Sequence, residues 1–144
     1  SGLLWGGCME SMVAQCSAEK YLPKAEELSG RILFLESAET IPPHWVMEYL
    51  LVGLGERGWF DHLSGVMIGR PKAWDFEQQN TAAEKAKYRA DQREVVVAAI
   101  REYNKIIPIV QNVDFGHTDP QIVLPIGGSA TLLPSENSIT FDYS

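Results

Sequence analysis

Basic charge is scarce in this sequence. Lys and Arg number 12 against 19 Asp and Glu, a formal net charge of −7 over 144 residues. A nucleic-acid backbone binder needs a basic surface, so this balance argues against a nucleic-acid partner. It equally disfavours an anionic membrane surface. Long apolar runs are missing as well. None approaches the roughly 18 residues that read as a bilayer-spanning helix. The first residues, Ser1-Gly2-Leu3-Leu4-Trp5-Gly6-Gly7, carry no basic stretch of the kind that opens a signal peptide. There is no initiator Met, and the chain runs at once into structured-looking sequence, which suggests a piece of a longer protein.

Cysteine is limited to Cys8 and Cys16. A helix over Met9 to Gln15 would hold them about 12 Å apart along its axis, beyond the roughly 7 Å that a disulfide spans. No CxxC pair and no Cys/His set with zinc spacing is present. The expectation is two reduced, half-buried thiols in a cytoplasmic protein, with no metal. Several catalytic signatures are missing too: GxSxG, GxGxxG, the P-loop, HExxH and the EF-hand.

What remains is ordinary globular composition, 45% hydrophobic and 22% charged, of a length that fits one domain over 1–144. Gly6-Gly7 reads as a break before a short helix at Met9 to Gln15. Arg31-Ile32-Leu33-Phe34-Leu35 is a continuous apolar run after the Ser29-Gly30 turn, the pattern of a strand buried on both faces. Pro42-Pro43 opens a helix whose apolar residues Val46, Met47, Leu50, Leu51 and Leu54 recur at helical spacing. Gly65 to Gly69 reads as a strand. Thr81 to Lys105 contains a helix, best defined from Asp91 onward. Ile106 to Val113, Gln121 to Leu124, Ala130 to Leu133 and Ser138 to Tyr143 read as further strands. Five or six strands and about three helices, alternating first and then strand-rich, predict a mixed α/β domain.

Two positions are candidates for chemistry. Glu36 ends the apolar Ile32–Leu35 strand. It is either a carboxylate that reaches solvent there or one that needs a donor against the cost of desolvation. His117 lies in Val113-Asp114-Phe115-Gly116-His117-Thr118-Asp119-Pro120, a tight loop straight after a strand. Loops at strand ends are where catalytic groups are usually held. The alternative is a turn histidine bonded to Asp114 or Asp119. His44 and His62 read as surface residues. Glu36 and His117 make two thirds of a nucleophile–base–orienter set. None of Ser11, Ser17, Ser37, Ser64 and Ser129 has the setting of an activated nucleophile.

The order of motifs resembles the C-terminal domain of the LD-carboxypeptidase family of serine peptidases. These are also called muramoyltetrapeptide carboxypeptidases, and the family includes the microcin C immunity proteins. The motifs are Gly6-Gly7 before a short helix, Ser29 to Glu36, Gly65 to Arg70, Asp114 to Pro120, and Leu124-Pro125-Ile126-Gly127. The family places Asn after the two glycines, where this chain has Cys8. The resemblance implies a swivelling three-layer β/β/α domain with a mixed sheet or partial barrel. It implies Glu36 and His117 as the catalytic glutamate and histidine, with the serine in an N-terminal domain. It implies cleavage of the terminal D-alanine from murein tetrapeptide, or, in the immunity branch, of a peptidyl- or aminoacyl-nucleotide. A non-catalytic binding module is the competing class. Gly6, Gly7, Trp5 and Arg70 are candidate substrate contacts. Trp5 and Trp74 would either stack on a purine or pack at a domain interface. The intact enzyme is expected as a cytoplasmic homodimer that uses no cofactor.

Overall fold

The computed structural model describes residues 1–143. Among these residues the chain runs β1 (Gly2–Cys8), α1 (Met9–Ala18), a 3₁₀ turn (Ala25–Leu28), β2 (Ile32–Glu36), α2 (His44–Glu56), α3 (Trp59–His62) and β3 (Gly65–Gly69). It continues with α4 (Ala82–Tyr103), β4 (Ile109–Val113), β5 (Ser129–Leu133), a second 3₁₀ turn and β6 (Ser138–Asp142). The six strands described form one sheet in the order β4-β3-β2-β1-β5-β6. Neighbours from β1 to β4 are parallel, and β5 and β6 join antiparallel beyond β1. This is the mixed α/β architecture expected.

Side-chain alternation along each strand decides what each face touches. Leu33 and Leu35 of β2 and Val66 and Ile68 of β3 point to one face. There they pack under Met9 and Met12 of α1, Leu50, Leu51 and Leu54 of α2, Trp59 and Phe60 of α3, and Val96 and Ile100 of α4. Their neighbours Leu4, Ile32, Phe34 and Met67 point the other way, into a second, smaller core with Phe115 and Ala130. Leu132, Ile139 and Phe141 of β5 and β6 close over it. The sheet thus curls on itself, which gives the β/β/α layering. Every residue of β2 and β3 is buried, as continuous apolar runs in parallel strands require.

Two expectations need correction. Gly6-Gly7 does not break the chain: both lie inside β1, opposite Phe34 and Leu35. At Gly6, φ is +150°, and a Cβ would collide with the Phe34 carbonyl. The glycine is there for close approach of two strands, not for a turn. Gln121 to Leu124 forms no strand. Pro120 and Pro125 bracket it, and the Ile122 N–H turns back to the Asp114 carbonyl at 2.6 Å. A fourth, single-turn helix, α3, follows Gly58, whose φ of +74° redirects the chain. The helix expected within Thr81 to Lys105 is α4, Ala82–Tyr103, which begins nine residues before Asp91. Thr81 Oγ1 accepts the Glu84 N–H at 3.3 Å and Glu84 accepts the Thr81 N–H at 2.6 Å, a reciprocal cap. That cap starts the helix where apolar periodicity is weak.

Candidate active site

Glu36 is the last residue of β2, on the same face as Ile32 and Phe34, and it is buried. The loop after β4 crosses above it. Phe115 anchors that loop in the smaller core, edge-on to Phe34 with ring centroids 5.9 Å apart. Gly116 then passes so close to Glu36 that a Cβ there would strike the carboxylate, and its φ is +82°. Only glycine suits both constraints. The next residue is His117. Its Nδ1 lies 2.7 Å from Glu36 Oε2, and its backbone N–H donates to the same oxygen at 3.2 Å. One carboxylate oxygen therefore fixes both the ring and the backbone of the histidine. The two residues are 81 positions apart, and the crossing of the β4 loop over the β2 end joins them.

His117 borders an open hollow of about 490 Å³ together with Glu39, Lys72, Thr118, Asp119 and Gln121, and its opposite ring nitrogen, Nε2, meets Glu39 there. Glu39 Oε2 lies 3.2 Å from it. The hydrogen bond to Glu36 raises the His117 pKa above its ordinary value. Partial burial opposes this, and the charges of Glu36, Glu39 and Glu10 reinforce it. Among the described residues no serine hydroxyl bonds the His117 ring.

Arg70, the residue after β3, braces the loop. Its Nε donates to Asp114 Oδ1 at 2.7 Å, its Nη2 to the Asp119 carbonyl at 3.0 Å, and its backbone N–H to the Val113 carbonyl at 2.8 Å. The guanidinium thus spans the loop that carries His117. Gly7 and Cys8 line a recess of about 290 Å³ with Glu36, Phe115, Ile122 and Ile126. Cys8 is the register partner of Glu36. Burial, with the Glu10 carboxylate, pushes its thiol up, so it stays protonated and donates to Glu10 Oε2 at 3.0 Å. Cys16 is free as well.

Trp5 lies on the other face of the sheet, edge-on to Trp59 at 5.2 Å between centroids, packed against the helix-side core. It does not adjoin the Glu36–His117 pair. Trp74 stands under Lys72 Nζ, 4.4 Å from its ring centroid. His44 is exposed, and His62 meets Ser29 Oγ at 3.2 Å, neither of them near the pair. The sequence reading missed Glu39 and Glu10. Glu39 follows the strand end by three residues, and only the loop path could reveal that it returns to the imidazole.

No helix among the described residues is long and apolar enough to cross a membrane. No group of three or more His, Cys, Asp and Glu among them could hold a metal ion.

Comparison with curated protein sequences finds no match. Among solved structures, an MccF-like protein from Streptococcus pneumoniae in complex with AMP is 27% identical, with a TM-score of 0.75 over 99% of this chain and 40% of that one. A muramoyltetrapeptide carboxypeptidase from Oxalobacter formigenes is 26% identical, with a TM-score of 0.64 over 90% of this chain and 40% of that one. The microcin C7 self-immunity protein MccF, solved as an apo active-site mutant, shares the fold at 22% identity and a TM-score of 0.69, covering 99% of this chain and 38% of that one. The chain therefore spans no more than 40% of the length of these three proteins. The family profile described as the LD-carboxypeptidase C-terminal domain matches residues 1–132. By that match, and by a fold it shares with the immunity and carboxypeptidase structures, the chain belongs to the LD-carboxypeptidase family of serine peptidases.

Proposed function

We propose that this chain is the glutamate–histidine half of a serine peptidase that removes the terminal D-alanine from a murein tetrapeptide in cell-wall recycling. The observation that carries this reading is the 2.7 Å contact between His117 Nδ1 and Glu36 Oε2, beside an open hollow that His117 borders. In acyl transfer of this kind the imidazole takes the nucleophile's proton at Nε2 and later gives it to the leaving amine. Glu36 holds the Nδ1–H tautomer and stabilises the imidazolium. The nucleophilic serine and the oxyanion donors come from a second, N-terminal domain. Two observations support that division. The related structures are much longer than this chain. Ile122 and Ile126, 42% and 75% exposed, line the recess beside Glu36 and give it an apolar rim of the sort a partner surface covers. The chain alone is then without peptidase activity, and the whole enzyme acts in the cytoplasm as a homodimer.

A second reading, cleavage of a peptidyl- or aminoacyl-nucleotide, draws on the higher TM-score to the MccF-like protein, which was solved with AMP. The test uses the intact polypeptide against both substrate types. Glu36→Gln is expected to lower turnover by about 10⁴, as the amide does in a Ser-His-Asp triad, while circular dichroism stays unchanged. Undiminished turnover of Glu36→Gln would overturn the assignment. Hydrolysis of only the nucleotide conjugate would select the second reading.

A further inference from the structure

His117 has a carboxylate at each ring nitrogen: Glu36 at 2.7 Å from Nδ1 and Glu39 at 3.2 Å from Nε2. The ring's hydrogen bond goes from Nδ1 to Glu36, and Glu39 faces Nε2 as an ion-pair partner, which a neutral imidazole cannot satisfy. Two carboxylate partners therefore select the doubly protonated cation. That form cannot act as a base, because the nitrogen that must receive a proton already carries one.

The loop that carries Glu39 is fixed at both ends, which keeps its Cα close to the ring. The Ala38 N–H donates to both oxygens of Glu10, at 3.2 Å each, at the start of α1. The Pro42 carbonyl accepts from Tyr88 Oη at 2.7 Å and from Gln92 Nε2 at 3.1 Å, both on α4, with Gln92 buried. Between these anchors Ile41 sits at φ +51°, a conformation that a β-branched residue adopts only under constraint. Two helices thus hold the loop that carries Glu39 beside the imidazole.

We propose that Glu39 is a positioning residue for His117: its carboxylate, ion-paired with Nε2, holds the ring as a cation until another group, the nucleophile's hydroxyl, takes that place. This rests on the reading above in that Nε2 is the nitrogen facing the nucleophile. No covalent step is involved. The ion pair gives way to a hydrogen bond from the hydroxyl to Nε2, and the proton on Nε2 leaves to solvent as the Glu39 side chain turns away. The charged groups that face the ring are Glu36 from β2, Glu39 from the loop after it, Glu10 from α1, Lys72 from the loop after β3, and Asp119 from its own loop. Glu36, Glu39 and Glu10 favour the cation, while Lys72 and Asp119 pair with each other, Nζ to Oδ2 at 3.8 Å.

The test is a pH titration of the His117 ring in this 144-residue chain by nitrogen-15 NMR, which separates the cation from either neutral tautomer. Glu39→Gln is expected to move the midpoint to lower pH. At a fixed pH near the midpoint the ratio of cation to neutral ring should fall roughly two- to fivefold, the scale of a solvent-exposed ion pair. Glu39→Asp, one methylene shorter, should restore part of the shift, which a merely structural role would not produce. An unmoved midpoint in Glu39→Gln overturns the proposal. Glu36→Gln in the same titration separates the two ideas. If it moves the midpoint and Glu39→Gln does not, the pair stands and the role of Glu39 falls. If Glu36→Gln leaves the midpoint in place, the active-site reading itself falls.

Discussion

One oxygen of Glu36 serves both the imidazole and the backbone N–H of His117, so charging the ring and ordering its loop are coupled. The coupling has a definite pH sign. His117 is raised above its ordinary value, first through the hydrogen bond to Glu36. A histidine whose pKa is higher folded than unfolded adds stability that is fully present below the unfolded value, about 6.5. That stability is lost as pH rises through the folded value. The advantage of the parent chain over Glu36→Gln in urea unfolding should therefore be larger near pH 6 than near pH 9. A gap that widens with pH would contradict the raised pKa. Glu36 and His117 stood out in the sequence as a carboxylate at the end of an apolar run and a histidine after Phe-Gly, and the family resemblance, not the local pattern, assigned them to one site. Glu39 did not stand out, since nothing in Ser37-Ala38-Glu39-Thr40 shows that Glu10 and α4 pull its loop back over the ring.

The elements most legible in the sequence were those with unbroken pattern. Ile32–Glu36 and Gly65–Gly69 are buried at every residue, and α2 follows its apolar spacing. β1 was not legible, because paired glycines signal a turn in isolation and become a strand only when a neighbour comes close. The two glycines differ sharply, which makes the point testable. A Cβ at Gly6 would enter the Phe34 carbonyl, whereas a Cβ at Gly7 meets nothing within 4 Å. Gly6→Ala should cost about 1–3 kcal/mol or more, since backbone must shift in the middle of the β1–β2 ladder. Gly7→Ala should stay within about 0.5 kcal/mol of the parent chain. Urea midpoints of the two variants measure the difference, and equal losses would refute the close-approach explanation. The missing strand at 121–124 has the opposite origin. Its apolar residues suit a strand, but the Ile122 N–H is already given to the Asp114 carbonyl.

The molecule has two unequal cores, and the site stands on the lesser one. The helix-side core unites α1, α2, α3 and α4 with the sheet. The concave core holds six buried residues, Leu4, Ile32, Phe34, Met67, Phe115 and Ala130. Phe115 belongs to that core and to the His117 loop at once, so packing there should set the geometry of the pair. Leu54, fully buried among the helices, belongs to neither the loop nor the concave core. Large-to-small changes at either position are expected to be expensive, about 3–5 kcal/mol for Phe115→Ala and about 2–5 kcal/mol for Leu54→Ala. A domain of ordinary stability, about 5–15 kcal/mol, can survive one such loss. The variants should part at the site. Phe115→Ala removes the ring that pins Gly116 over Glu36, so the His117 titration midpoint should fall toward that of a free histidine. Leu54→Ala should leave the midpoint where it is while lowering the urea midpoint comparably. Both quantities are read from the same two samples. A Phe115→Ala chain that still folds and keeps the parent His117 titration would show that Arg70 and the Glu36 hydrogen bonds hold the loop without the concave core.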